Sequence, residues 1–243
     1  MESHTNGMKG EGKKPPRLMP GVSGAKWRIS FVGFFEKFVR QCRKPTGRFG
    51  KFVGRAMNFG HSQVRHWGLG HISIKPDAVI LDIGCGGGKT VQELAKSAPR
   101  GKVYGIDYSE DMVQLSKKLN DSLIKQDFVE VMHGSVSSLP FADNMFDIVT
   151  AFETYYFWPN LNDDLKEIKR VLKPRGTLLI VNEVYKDNQF EKRNSKWAKL
   201  CDMQLHTPDG YEGFLSKAGY HIVKIDNIPQ KNWIAAVGQK NER

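Results

Sequence analysis

The side chains with chemical capacity gather around one stretch, Val79-Ile80-Leu81-Asp82-Ile83-Gly84-Cys85-Gly86-Gly87-Gly88-Lys89-Thr90. The carboxylate of Asp82 precedes glycines at 84, 86 and 88, where backbone can approach a ligand that a side chain would block. A second carboxylate, Asp107, lies nineteen residues beyond Gly88, at the end of the run Lys102–Ile106. In register with the first, it can accept both hydroxyls of a ribose. Glu153 and Glu183 close two later apolar runs, and Tyr156 places a phenol near Glu153. Such groups can take a proton from a bound nucleophile. Glu183 reads equally as a surface or capping acid, and the aromatics 155–158 equally as core.

Three ligand classes use a strand, a glycine turn and a helix start, and the spacing separates them. A phosphate-cradling loop of the form G-x-x-x-x-G-K-[ST] would need glycine at position 83, which is Ile83. A dinucleotide fingerprint G-x-G-x-x-G would need glycine at position 89, which is Lys89. The pattern that fits is acid-x-Gly-x-Gly-x-Gly, Asp82 to Gly88. It resembles the first motif of the class I S-adenosylmethionine-dependent methyltransferases. Leu139-Pro140-Phe141-Ala142-Asp143-Asn144-Met145-Phe146-Asp147 is similar to a signature of their type-11 small-molecule group, which includes quinone-pathway C-methyltransferases. The resemblance spans roughly residues 76 to 183.

The resemblance implies S-adenosylmethionine as cofactor, held by Asp82, Gly84, Gly86, Gly88, Asp107, Tyr108, Met112, Ser135 and Val136. The glycine turn would pack on its methionine part. Ser135 stands where the family commonly has an acid that accepts from the adenine amino group, and the Val136 backbone would serve a ring nitrogen. Ala151-Phe152-Glu153-Thr154-Tyr155-Tyr156-Phe157-Trp158-Pro159 is the substrate-facing loop by position. It lacks the Asn/Asp-Pro-Pro-aromatic sequence of adenine- and glutamine-specific amino methyltransferases. It also lacks the histidine that many small-molecule members carry there. Glu153 is the first choice of base, with Tyr156 beside it. His61 and His66 make a poor metal pair, and no metal is expected.

The elements that must position these groups follow from periodicity. Strands are expected at Val79–Ile83, Lys102–Ile106, Phe128–Met132, Phe146–Phe152 and Thr177–Asn182. Helices are expected over about Thr90–Ser97, Glu110–Asn120 and Leu161–Val171, with Ser109 a candidate N-cap for the second. Leu172 to Gly176 reads as a turn, and Asn188–Met203 as a polar outer helix. Thr207-Pro208-Asp209 starts a further helix that Gly219 ends. Tyr220–Asp226 and Asn232–Gly238 alternate as two strands. The fold class is α/β: a doubly wound Rossmann-like, mostly parallel seven-stranded sheet with a C-terminal antiparallel hairpin.

Composition bounds the rest. The chain has 243 residues, 40% of them hydrophobic, enough for one domain with additions. Three cysteines, Cys42, Cys85 and Cys201, show no paired or metal spacing, which suits a reducing, cytoplasmic setting. No apolar run approaches a membrane span, and none before residue 27 resembles a signal peptide. The net charge of +11 is uneven: residues 1–55 hold 13 Lys and Arg against 3 Glu. Residues 1–24 read as a flexible basic tail, 25–75 as a helical lid segment and 76–243 as the catalytic domain. In 26–41, Trp27, Phe31, Phe34, Phe35 and Phe38 fall at helical spacing, suiting either packing on the body or contact with an anionic membrane.

The expected activity is methyl transfer from S-adenosylmethionine to a small molecule. The alternatives are an RNA or DNA methyltransferase gripping phosphates with the basic arm, or a cofactor-binding regulator without turnover. Nucleic acid is the less favoured partner, since residues 56–243 are near charge balance.

Overall fold

The computed structural model describes residues 60–242 together with Thr46, Gly47, Gly50, Phe52 and Gly54. The expected tail 1–24 and the aromatic helix 26–41 lie outside the described residues.

Helix α1 (Ser62–Leu69) precedes the sheet. Then come β1 (Val79–Ile83), α2 (Lys89–Ser97), β2 (Lys102–Asp107), α3 (Glu110–Leu119), α4 (Asp121–Lys125) and β3 (Val129–His133). The second half runs β4 (Phe146–Phe152), α5 (Leu161–Val171), β5 (Leu172–Asn182), α6 (Glu191–Cys201), α7 (Pro208–Lys217), β6 (Tyr220–Ile228) and β7 (Trp233–Lys240). The seven strands are ordered β3-β2-β1-β4-β5-β7-β6. β1 to β5 pair in parallel, while β7 runs antiparallel between β5 and β6. The order reverses between β1 and β4, where doubly wound sheets leave a crevice at the carboxyl ends of the strands.

Parallel strands covered on both faces need continuous apolar runs. Ile80 and Leu81 in β1, Val149 and Ala151 in β4, and Leu178 to Val181 in β5 are accordingly buried. Full burial of the Ile, Leu and Val side chains among these contributes about 1.5–3 kcal/mol each. Helix α2 turns Val91, Leu94 and Ala95 to the sheet, and α5 turns Leu165, Ile168 and Val171.

Several local expectations need correction. β5 begins at Leu172, which pairs with Phe146, so the expected turn lies inside the strand. The register shifts between Phe146 and Ile148, and Arg175 takes φ +61, as at a bulge. The short α4 and a 3-10 turn at Tyr155–Phe157 carry no apolar period and were not expected. Ser109 occupies the N-cap position of α3, but its side chain makes no capping bond. Thr207, by contrast, caps α7 by accepting from the Gly210 N–H, with proline at the first turn.

The segment before β1 is fastened to the body. Arg65, buried, donates from Nε and Nη2 to the two oxygens of Glu93 on α2, at 2.8 and 3.1 Å. Gly68 lies so close to β4 and β5 that an added Cβ would stand 2.6 Å from Val181 Cγ2. Trp67 packs on Trp233 with ring centroids 5.9 Å apart.

Candidate active site

Three of the four glycines of the turn, 84, 86 and 88, have positive φ, and each has a different neighbour. Gly84 (φ +68) faces Thr154, whose Cβ would lie 2.8 Å from an added Cβ. Among the described residues Gly86 (φ +50) opens onto free space, with the Gly84 carbonyl 4.0 Å from an added Cβ. Gly88 (φ +83) is the N-cap of α2 and packs against α3, where an added Cβ would come within 2.6 Å of Asn120 Nδ2 and 2.8 Å of Ser116 Cα. Gly88 therefore serves helix packing and is absent from the cavity wall described below. Gly88→Ala should cost about 2–4 kcal/mol of stability by overpacking and strain. Gly86→Ala should cost only about 1–2 kcal/mol, the left-handed backbone penalty alone. Denaturant unfolding of the two variants checks the order.

Asp107 ends β2 and anchors the turn. One carboxylate oxygen accepts from the Gly86 N–H at 2.8 Å, the other from the Ser109 N–H at 2.8 Å. Burial raises its pKa above the usual carboxylate value, against those two bonds. Each oxygen keeps a lone pair for a further donor. Asp82 is buried behind the turn: its Oδ1 accepts from Thr150 Oγ1 at 2.7 Å, and burial pushes its carboxyl up to about 7.

A cavity of about 170 Å³ opens at the carboxyl ends of β1 to β4. Ile83, Gly84, Ile106, Asp107, Tyr108, Gly134, Ser135, Val136, Thr154, Phe157, Trp158 and Pro159 line it. Five of the expected cofactor residues, Gly84, Asp107, Tyr108, Ser135 and Val136, are thus brought together. Asp82, Gly86, Gly88 and Met112 are not on this wall; Met112 is buried, its sulfur 2.6 Å from where a Cβ on Gly54 would sit. Ser135 Oγ already accepts from the Ser137 N–H at 3.2 Å, leaving one lone pair. The indole N–H of Trp158, a residue only 5% exposed, has no hydrogen-bond partner among the described residues. An unpaired buried donor on a cavity wall suits a polar ligand.

A second cavity, of about 330 Å³, shares Phe157 with the first. Its floor is Glu153 and Tyr156 from the end of β4 and Glu183 from the end of β5. Tyr156 Oη donates to Glu153 Oε2 at 2.8 Å, and the Glu183 N–H donates to Glu153 Oε1. Burial pushes the Glu153 carboxyl up to about 7. Glu153 also holds φ +57, a conformation that costs a non-glycine residue about 1–2 kcal/mol and gathers at functional sites. His61 Nε2 lies 3.8 Å from Glu183 Oε2. Burial lowers the His61 pKa, and burial followed by the charge of Glu153 raises that of Glu183.

Sequence reasoning missed the far wall of this cavity, formed by Arg193, Trp197, Cys201, Met203, Lys231 and Trp233. Helix α6 was expected to be an outer polar helix. Yet Arg193, Trp197 and Cys201 recur every four residues and form one inward stripe, a signal the sequence carried. His61 was read only as local polarity. Among the described residues no cluster of His, Cys, Asp and Glu could hold a metal ion.

Residues 81–180 match the family model of the methyltransferase domain. The matched stretch runs from β1 into β5. The demethylmenaquinone methyltransferase of Bacillus cereus is 38% identical over 110 residues, 44% of this chain and 46% of that one. The chain thus matches about half the length of this relative. A SAM-dependent methyltransferase from Aquifex aeolicus has the same fold at TM-score 0.66 and 21% identity, covering 79% of this chain and all of that one. A chain from the complex between the Haloferax volcanii Trm112 methyltransferase activator and a methyltransferase superposes at TM-score 0.70. It is 22% identical and covers 78% of this chain and 94% of that one. The stretch so matched contains the glycine turn, Asp107, Ser135 and Glu153; Glu183, Arg193 and Lys231 lie beyond residue 180.

Proposed function

We propose that this protein moves a methyl group from S-adenosylmethionine to a nucleophilic atom of a small molecule. One observation carries the reading: two cavities share Phe157 as a wall, one lined by Asp107 and Gly84, the other by Glu153 and Tyr156. The first suits an adenosyl group. Asp107 would accept the ribose hydroxyls, Ser135 and Val136 would border the adenine, Trp158 would supply an N–H donor, and the open face of Gly86 would admit the methionine part.

The cofactor supplies a methyl group on a positively charged sulfur, so the chemical drive is its own. The chain's residues align the acceptor and exclude water. Glu153, fixed by Tyr156 and the Glu183 N–H, would take the acceptor's proton as its nucleophilic atom bonds to the methyl carbon. A base whose pKa lies near 7 is about half ionised at neutral pH and still basic. The acceptor of the Bacillus relative, a demethylmenaquinone by its name, is not carried over, since the acceptor wall from Glu183 onward lies outside the matched domain. A panel of quinols, phenols, thiols and amines, read by S-adenosylhomocysteine release, tests the reading. Release with at least one acceptor is expected; silence across the panel with cofactor bound would favour a regulator.

The segment 25–75 is proposed to cover the site, supported by His61 on the cavity wall and by the Arg65–Glu93 pair. The basic arm, 1–55, is proposed to touch anionic membrane, supported by its charge and by the aromatic spacing of 26–41. Each Lys or Arg near such a surface contributes about 1 kcal/mol, screened by salt. Among the described residues no helix is long and apolar enough to cross a membrane. The full chain should co-sediment with anionic vesicles more than with neutral ones, and less as salt rises. Equal, salt-insensitive recovery would sink membrane contact.

A further inference from the structure

Arg193 is fixed in place by neutral groups. Its Nη2 donates to Asn232 Oδ1 at 2.7 Å and its Nε to Asn194 Oδ1 at 3.0 Å. Its guanidinium lies 4.3 Å from the centre of the Phe190 ring. Both asparagines are buried, and both donate to the Tyr185 carbonyl, at 2.8 and 3.2 Å. Asn232 holds φ +59, a left-handed turn that asparagine tolerates. A buried network of this kind is costly unless every member is satisfied, and once satisfied it rigidifies what it holds. Here it holds a cation at the rim of the second cavity without neutralising it. Lys231, next in the chain to Asn232, sits over the Trp233 ring at 4.2 Å. Among the described residues neither cation forms an ion pair. Glu183 shares the cavity and acts on Arg193, but its own pKa is raised and its near partner is His61.

We propose that Arg193 and Lys231 bind an anionic group, a carboxylate or a phosphate ester, of the methyl acceptor. This rests on reading the second cavity as the acceptor site. The cavity is then bipolar: the basic rim holds the anion, and the acceptor's O–H or N–H reaches Glu153 at the floor. Trp197 and Trp233 on the same wall suit a planar, aromatic body. An uncharged quinol would leave Arg193 with only the charge of Glu183 across the cavity and Lys231 with the Trp233 ring.

Calorimetric titration of the full chain, with and without S-adenosylhomocysteine, tests this with three probes: para-hydroxybenzoate, para-hydroxyphenyl phosphate and hydroquinone. At least one anionic probe should bind about tenfold or more tighter than hydroquinone, as charge-assisted hydrogen bonds provide. The tighter of the two names the group. Arg193→Gln and Lys231→Gln should each reduce that preference, and the double variant should abolish it, with S-adenosylhomocysteine affinity unchanged. Equal binding of charged and neutral probes overturns the proposal. So does no binding of any probe, a preference that survives the double variant, or a loss of cofactor affinity in that variant, which would assign the cations to the cofactor's own carboxylate. Failure of the wild type to bind S-adenosylhomocysteine, with the anion preference intact, would overturn the cofactor reading and leave the anion site standing.

Discussion

Replacing Asp107 by Ala is expected to weaken S-adenosylhomocysteine binding by about 3 kcal/mol, roughly a hundredfold, as two hydrogen bonds to a charged acceptor disappear. The loss has a second source in this fold. Asp107 also holds the Gly86 and Ser109 N–H groups, so the variant frees the glycine turn as well as the ribose. Asp107→Asn separates the two, because an amide oxygen can still accept one of those N–H bonds. It should retain more of the fold's stability than Ala while still losing cofactor affinity. Calorimetry on both variants, beside their unfolding curves, checks this. Unchanged affinity in Asp107→Ala would remove Asp107 from the site.

The second large effect is expected at Glu153. Glu153→Gln should lower kcat by about a hundredfold to ten-thousandfold, the usual contribution of a positioned base, with cofactor affinity nearly unchanged. The pH dependence follows from the raised pKa. Below about 7 the carboxyl holds its proton and cannot take another, so the wild-type rate should rise with pH through that value. The Gln variant should lack this limb. Stability runs the other way. Because the folded value lies above the ordinary 4.5, the group's stabilising contribution is complete below 4.5 and lost as pH rises through about 7. At pH 8 the Gln variant should therefore melt at a higher temperature than wild type. A rate profile with the same limb in both proteins would assign the base elsewhere.

Much of the proposed cofactor side was legible in the sequence because it is local. Asp82 to Gly88 and Asp107 belong to consecutive strand–turn–helix units, so spacing alone fixed their register. The roles within the motif were less legible. The glycines at 84, 86 and 88 look alike in sequence, yet Gly84 meets Thr154, Gly88 meets α3, and Gly86 is left open among the described residues, which depends on neighbours 28 or more residues away. The start of β5 was hidden because Pro174 and Gly176 signal a turn, whereas pairing of Leu172 with Phe146 and a bulge at Arg175 keep the strand going. The proposed acceptor side was least legible. His61, Glu183, Arg193 and Lys231 come from four separate segments that only the closed fold brings together.

A crystal structure of the protein with S-adenosylhomocysteine tests the central claim most directly. The expected result places the ribose hydroxyls on Asp107, the adenine beside Ser135 and Val136, and the sulfur directed past Phe157 toward Glu153. A cavity at the opposite ends of β4 and β5, lined by Lys75, Lys173 and Arg175, offers a clear contrast. Ligand density there, or none between Gly84 and Val136 at saturating cofactor, would contradict the assignment.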